Sequence, residues 1–293
     1  MANLKEIRTR LNSVKSTRQI TAAMKMVAAA KLRKAQDKIL RLRPYAGKLH
    51  EILLGISARI EDTDSAGSFS RVSEPENILL IVVTSNRGLC GAFNSNVIKE
   101  TVRIIKGKYS KQALAKTLHI MAIGKKGADY FRKSPYGLAD NRSTIFDDLS
   151  FDNVNLIASE VMDSFLAGKY DRVEFVYNQF KNAAVQILTN ETFLPVETKD
   201  EEETSVVSDY IYEPGRKEII EELIPKTLKI EFYRIILDSY VAEHGARMTA
   251  MHMATDNASE LIRDLTLEYN KARQASITSE ILEVVSGAEA LKA

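Results

Sequence analysis

Past Pro225 the chain has no further proline and only two glycines, Gly245 and Gly287. About sixty-five residues with helical spacing follow, which at about 1.5 Å per residue predicts a helix roughly 100 Å long. A second such stretch stands at the other end, where Leu4 to Arg43 contain neither proline nor glycine. In it Ile7, Leu11 and Val14 are spaced four then three. Ile20, Met24 and Val27 repeat the pattern, and Leu32, Ala35, Ile39 and Leu42 continue it, a narrow stripe of the coiled-coil kind. Pro44 lacks an N–H and is expected to kink or restart this helix, with the apolar spacing resuming to about Ile60.

Between the two ends the period changes. "ILLIVVTS" is a compact aliphatic run suited to a strand buried on both faces. After it come a helical "NSNVIKETVRIIKGKYS", a strand "TLHIMAIG", helical "KKGADYFRKS" and "NLIASEVMDSFLAGKY", and strands "RVEFVYNQF" and "VQILTNETFLPV". This alternation predicts a Rossmann-like α/β domain with a mainly parallel sheet, its last two strands pairing as a hairpin. The expected organisation is an N-terminal coiled-coil helix over 1–60, a polar loop over 61–76 and the α/β domain over 77–196. An acidic connector and foot over 197–213 and a C-terminal helix over 214–293 complete it. Two terminal helices, each with an apolar stripe, are most economically covered by pairing antiparallel. Met248, Met251, Met253, Ile281, Leu282, Val284 and Val285 then still ask for a surface outside the chain.

Composition narrows the function classes. No run of eighteen apolar residues occurs, so nothing is expected to span a bilayer. The N-terminus has no secretory h-region, and Cys90 is the sole cysteine, which excludes an internal disulfide and a Cys-built zinc site. Residues 1–43 hold twelve Lys or Arg against Glu6 and Asp37, a net +10 that leaves −8 for the rest of a chain whose total is +2. Those cations surround the helix and lack interleaved aromatics, so solvated faces or an acidic protein partner suit them better than nucleic acid.

"TSNRGLCGAFNSN" is a glycine-bearing turn between a strand and a helix, but it has neither of the spacings that wrap backbone N–H groups around a phosphate. It reads as a tight turn. His50, His119, His244 and His252 form no metal-binding pattern, and no metal or cofactor is expected. "EHGARM" places Glu243, His244 and Arg247 on one helix without a nucleophile; an ion pair or a partner contact is the expected use.

"IRTRLNSVKSTRQITAAMKMVAAAKLRKAQ", "SNRGLCGAFN", "DYIYEP" and "ATDNASELIRDLTLEYNKARQASITSEILEVVSGAEAL" resemble, in order and placement, the γ subunit family of F-type ATP synthases. Departures from the family pattern are Asn86 where Asp is frequent, Ala92 where Gly is frequent, and Gly245 where Ala is usual, the last expected to add local flexibility. The resemblance implies a central stalk: an asymmetric axle inside a ring of α and β subunits, coupling ion flow through the c-ring to ATP synthesis or hydrolysis. The catalytic nucleotide sites would lie on the β subunits, so this chain would be non-catalytic. It implies contacts to β loops at Arg273, Gln274, Thr278, Met24 and Lys25, and an apolar bearing at Ile281, Leu282, Val284 and Val285. Tyr210, Tyr212 and Glu213 would form a foot at the c-ring and the ε subunit. A peripheral place on the cytoplasmic face of the bacterial inner membrane follows. The competing readings are a nucleotide-binding α/β enzyme with helical arms and a basic coiled-coil protein that binds nucleic acid.

Overall fold

The structure is a computed structural model that describes residues 4–57, 69, 74–196 and 216–290. The chain divides into two compact units, residues 1–28 with 248–293 and residues 29–247. Helix α1, Leu4–Ser57, and helix α6, Arg216–Ala290, each contribute to both.

In the first unit α1 and α6 pair antiparallel, and burial recurs every seven residues. On α1, Ile7, Thr21 and Ala28 are buried with Val14 half-buried between them; on α6, Met251, Ala258 and Leu265 are buried and Ala272 is half-buried. That is the seam of a coiled coil. It corrects the expected stripe, because Ile20 and Val27 are 60% and 57% exposed and the seam passes one position later, through Thr21 and Ala28. The phase set by Ile7 and Val14 continues in steps of seven and overrides the local apolar residues. Thr21 stands against Thr255, with the hydroxyl oxygens 2.9 Å apart. Leu4 is seventeen residues before Thr21, and the same count past Thr255 reaches Ala272. Residues 273–290 therefore run on beyond the described part of α1 for roughly 27 Å, at about 1.5 Å per residue. Ile277 to Ala288 are all exposed.

In the second unit the strands are β1 Ile78–Val83, β2 Leu118–Ile123, β3 Asp140–Asn141, β4 Arg172–Phe180 and β5 Gln186–Leu194. They lie in the order β3-β2-β1-β4-β5, parallel except for β5. One face of the central strands, Ile78, Leu80, Val82, Ile120 and Val176, packs on α2 (Phe93–Gly107) through Val97, Ile104 and Ile105. The opposite face meets α6, where Phe232 lies 4.9 Å from Phe175 and 5.4 Å from Phe193, ring centre to ring centre. Helix α5, Phe151–Leu166, starts at the Ser150 cap and flanks α6 through the Phe151–Tyr233 ring pair. Enclosed on several sides, α6 is buried almost without interruption from Leu228 to Arg247. The buried carboxylate of Glu174, with no exposed side-chain surface, is paired: it accepts from Lys108 Nζ and the Tyr109 hydroxyl.

Several local expectations change. Helix continues through Pro44 without a restart. Pro44 is exposed, as is Leu40, whose carbonyl loses its helical partner and can turn to water. The run read as one helix to Ser110 divides at Gly107 and resumes as α3, Ser110–Ala115. Helix α4, Lys125–Phe131, stops short of the expected Ser134, and the short strand β3 and a 3-10 turn at Ser143–Phe146 had no sequence signal strong enough to read. In the stretch read as a polar loop, Phe69 is buried and its carbonyl accepts from Val196 N. Residues 58–60 and the connector over 197–213 lie outside the described residues.

Candidate functional site

Two regions carry the chemistry singled out in the sequence. The first is the turn after β1. In a parallel sheet the crevice at the strand ends is where nucleotides bind, through helix N-terminal N–H groups. Here those groups are already engaged. Lys125 N donates to Asn86 Oδ1, Lys126 N to Ser85 O and Gly127 N to Thr84 Oγ1, so the start of α4 (Lys125–Phe131) is capped by the β1 turn itself. Ser85 N donates to Asn94 Oδ1 at the start of α2. The approach is close enough that a Cβ on Gly124, whose φ is +121°, would lie 2.0 Å from Thr84 O. The nucleotide reading loses its cradle to side chains of the chain itself.

The same turn explains two departures from the family pattern. Asn86 uses both ends of its amide, accepting from Lys125 N and donating from Nδ2 to Ser143 O at 2.9 Å; a carboxylate could not make the second bond. Ala92 has φ −84° and needs no glycine, because the left-handed positions fall on Gly91 and Leu89.

"EHGARM" and this turn, far apart in sequence, meet in the fold. Arg247 donates from Nη1 to Glu243 Oε1 at 2.6 Å and from Nη2 to the carbonyls of Arg87 and Gly88 at 3.0 and 3.4 Å. The ion pair was legible from the i, i+4 spacing; the carbonyl partners were not. His244 Nδ1 stands 3.3 Å from Arg247 Nη1, which makes it the acceptor and leaves the ring proton on Nε2, a buried atom with no partner among the described residues. Burial, with Arg247 and Lys31 adding like charge, pushes the His244 pKa down to about 3. Burial raises Glu243 despite Arg247, and raises the Cys90 thiol. Neither histidine nor thiol is tuned for proton transfer or nucleophilic attack near neutrality.

Gly245 is a packing residue, which corrects the expectation of flexibility. A Cβ there would lie 3.2 Å from Ala183 Cα and 3.4 Å from the Phe180 ring, where the β4–β5 turn rests on α6. Lys31, Lys34 and Lys38 of the basic arm line a cleft of about 210 Å³ opposite Asp147 and Asp148, and Lys38 Nζ donates to Leu149 O. Part of the basic face is thus turned to the chain's own acidic turn. Among the described residues no group of His, Cys, Asp or Glu is arranged to hold a metal ion, and no helix is long and apolar enough to cross a membrane.

The second region is the two-helix unit, which holds the residues expected to contact partners. Met24 and Lys25 are half-buried on α1. Arg273, Gln274 and Thr278 are exposed on α6, just past the level where the described part of α1 ends, with Thr278 Oγ1 bonded back to Gln274 O. Ile281, Leu282, Val284 and Val285 are 57, 60, 72 and 49% exposed. By count from Thr255, Arg273 lies roughly 32 Å along α6 from the level of Met24, at about 1.5 Å per residue. The two groups therefore share one unit but cannot form one site. Tyr210, Tyr212 and Glu213 lie outside the described residues. Ile20 and Val27, placed in the buried stripe by their spacing, are more than half exposed in this unit, as are Met26 and Met253.

A family model described as ATP synthase matches residues 3–291. The chain is 56% identical to the ATP synthase gamma chain of Flavobacterium psychrophilum over 292 residues, covering 100% of both. It is 53% identical to that of Christiangramia forsetii, covering 99% of each. Among solved structures it matches a chain of the Euglena gracilis mitochondrial ATP synthase in rotational state 3. The TM-score there is 0.67 at 22% identity, over 98% of this chain and 94% of that one.

Proposed function

The chain belongs to the family of ATP synthase γ chains, and on that footing we propose that it is the central rotor shaft of the enzyme, a non-catalytic subunit that couples ion flow to the chemistry of a surrounding ring. The observation that carries this reading is the length of α6 beyond its partner helix, with exposed polar residues at its root and exposed apolar residues at its tip. A single helix of that kind gains nothing by projecting into water; it suits a socket. The partners would be α and β subunits around the helix pair and an ε subunit and c-ring at the other end of the shaft. The complex would sit peripherally on the cytoplasmic face of the inner membrane.

The mechanism follows from symmetry. One shaft inside a ring of three similar sites cannot contact all three alike, so each angle favours one set of ring conformations. By linkage, each set favours one angle. Arg273, Gln274 and Thr278 would supply directional hydrogen bonds that hold at one angle and release at the next. Ile281, Leu282, Val284 and Val285 would form a bearing whose contact energy changes little with angle, because apolar contact is non-directional. Met24 and Lys25 would face an acidic β segment, and Tyr210, Tyr212 and Glu213 would meet the c-ring and ε subunit.

Replacing Arg273 and Gln274 together by alanine tests the reading. Proton-driven ATP synthesis, or assembly of the complex, is expected to fall severalfold, with nucleotide binding by the ring retained. Synthesis and assembly at wild-type levels would remove both residues from the torque path.

A further inference from the structure

Among the described residues of the two-helix unit six seam positions are buried, of which Ile7, Ala28, Met251, Ala258 and Leu265 are apolar and Thr21 is polar. Its hydroxyl meets that of Thr255, half-buried on the facing helix, at 2.9 Å. Each hydroxyl also has a carbonyl on its own helix within reach: Thr21 Oγ1 lies 3.0 Å from Arg18 O, and Thr255 Oγ1 lies 2.7 Å from Met251 O. Two protons thus serve three contacts, and whenever the bond between helices forms, at least one hydroxyl gives up its own carbonyl. A polar group at one seam position lowers stability relative to an apolar one and in return defines how the helices are aligned. Ala28 and Ala258 offer little side-chain relief, and Met251, the large side chain buried one turn from Thr255, makes non-directional apolar contact, so near Thr21 the hydrogen bond is the directional element of the seam.

One helical turn past Thr21 stand Met24 and Lys25. We infer that Thr21 and Thr255 are positioning residues that set where the Met24–Lys25 turn of α1 stands along and around α6, and so how that turn is presented to the ring. This rests on the rotor reading above. Apolar packing opposes separation of two helices but opposes small sliding and rolling weakly; a hydroxyl pair opposes both.

The test uses two double variants in the assembled enzyme in membrane vesicles. Thr21→Val with Thr255→Val keeps shape and removes the hydroxyls, while Thr21→Ser with Thr255→Ser keeps the hydroxyls and removes the methyls. The ratio of ATP-driven proton pumping to ATP hydrolysis is expected to fall at least twofold in the valine pair and to stay within about a fifth of wild type in the serine pair. In the isolated full chain, amide exchange over residues 22–27 is expected to be at least threefold faster in the valine pair than in the serine pair. A valine pair with wild-type coupling and exchange, or a serine pair impaired as much as the valine pair, would overturn the inference and leave only packing. Vesicles in which the wild-type chain itself supports no coupled pumping would instead overturn the rotor reading.

Discussion

Glycine at 124 and glycine at 245 look alike in a sequence and differ in what the fold asks of them. At Gly124 both the backbone dihedral and the space exclude a side chain, since its Cβ would overlap the Thr84 carbonyl, which is held in the strand end. Gly124→Ala is expected to cost more than about 3 kcal/mol, the range of strained backbone combined with a clash. At Gly245 the contacts of 3.2 to 3.4 Å need the neighbouring turn to give by a few tenths of an ångström, while alanine gains about 1 kcal/mol in helix propensity. Gly245→Ala is expected to change stability by less than about 1 kcal/mol in either direction. Denaturant titration of both variants checks the contrast.

His244 gives the residue scale a dependence on pH. Its folded pKa, about 3, lies below the ordinary histidine value of about 6.5, so the unfolded chain binds the extra proton between those limits. The contribution of neutral His244 is therefore fully present above about pH 6.5 and is lost as pH falls toward 3. Glu243, raised by burial, acts in the opposite sense, so the measurement compares His244→Leu with wild type at each pH. The variant is expected to lose less stability than wild type between pH 6.5 and 4.5; parallel curves would contradict the assignment.

Among the elements, α6 shows how one helix answers to different surroundings along its length. From Leu228 to Arg247 it is enclosed by the sheet and neighbouring helices; from His252 onward most positions are exposed and the buried ones, Ala258 and Leu265, recur at the heptad spacing of the seam. Phe232 is the large residue that seats it on the sheet, between Phe175 and Phe193. Phe232→Ala is expected to destabilise the α/β unit by about 3–5 kcal/mol, the usual cost of emptying a buried ring site, read as a lowered midpoint in chemical denaturation. Helix α1 makes the complementary point. Its alanine-rich sequence, free of proline as far as Arg43, establishes a helix, while the face that is buried against α6 keeps the heptad phase of Ile7 and Val14 and leaves Ile20 and Val27 outside.

For the whole molecule, the exposed end of α6 is expected to matter to assembly far more than to folding. Deleting residues 277–293 removes side chains that are exposed over 277–288, and thermal melting of the isolated chain should move by less than about 2 °C. Loss of coupled turnover without loss of folded protein would accompany it. A large drop in melting temperature would mean that the tip contributes to the fold.

The order of elements, the parallel sheet with its closing hairpin and the two terminal helices were legible because they depend on periodicity, breakers and aliphatic runs, all local properties. The contact roles proposed for residues between 273 and 285 rest on the resemblance of the quoted motifs, and physics adds only that these side chains are mostly exposed. By itself, then, the sequence determined the class of fold and the chemistry available at each position. Only the tertiary structure decided which residues meet: that Arg247 holds the carbonyls of Arg87 and Gly88, that Thr84 and Asn86 close the crevice of the sheet, and that Thr21 occupies the seam in place of Ile20. The reason is that these contacts join segments up to 234 residues apart. Local pattern carries no information about distance across the fold, and a helix of one-residue ambiguity in phase acquires its buried face only when a partner is present to bury it.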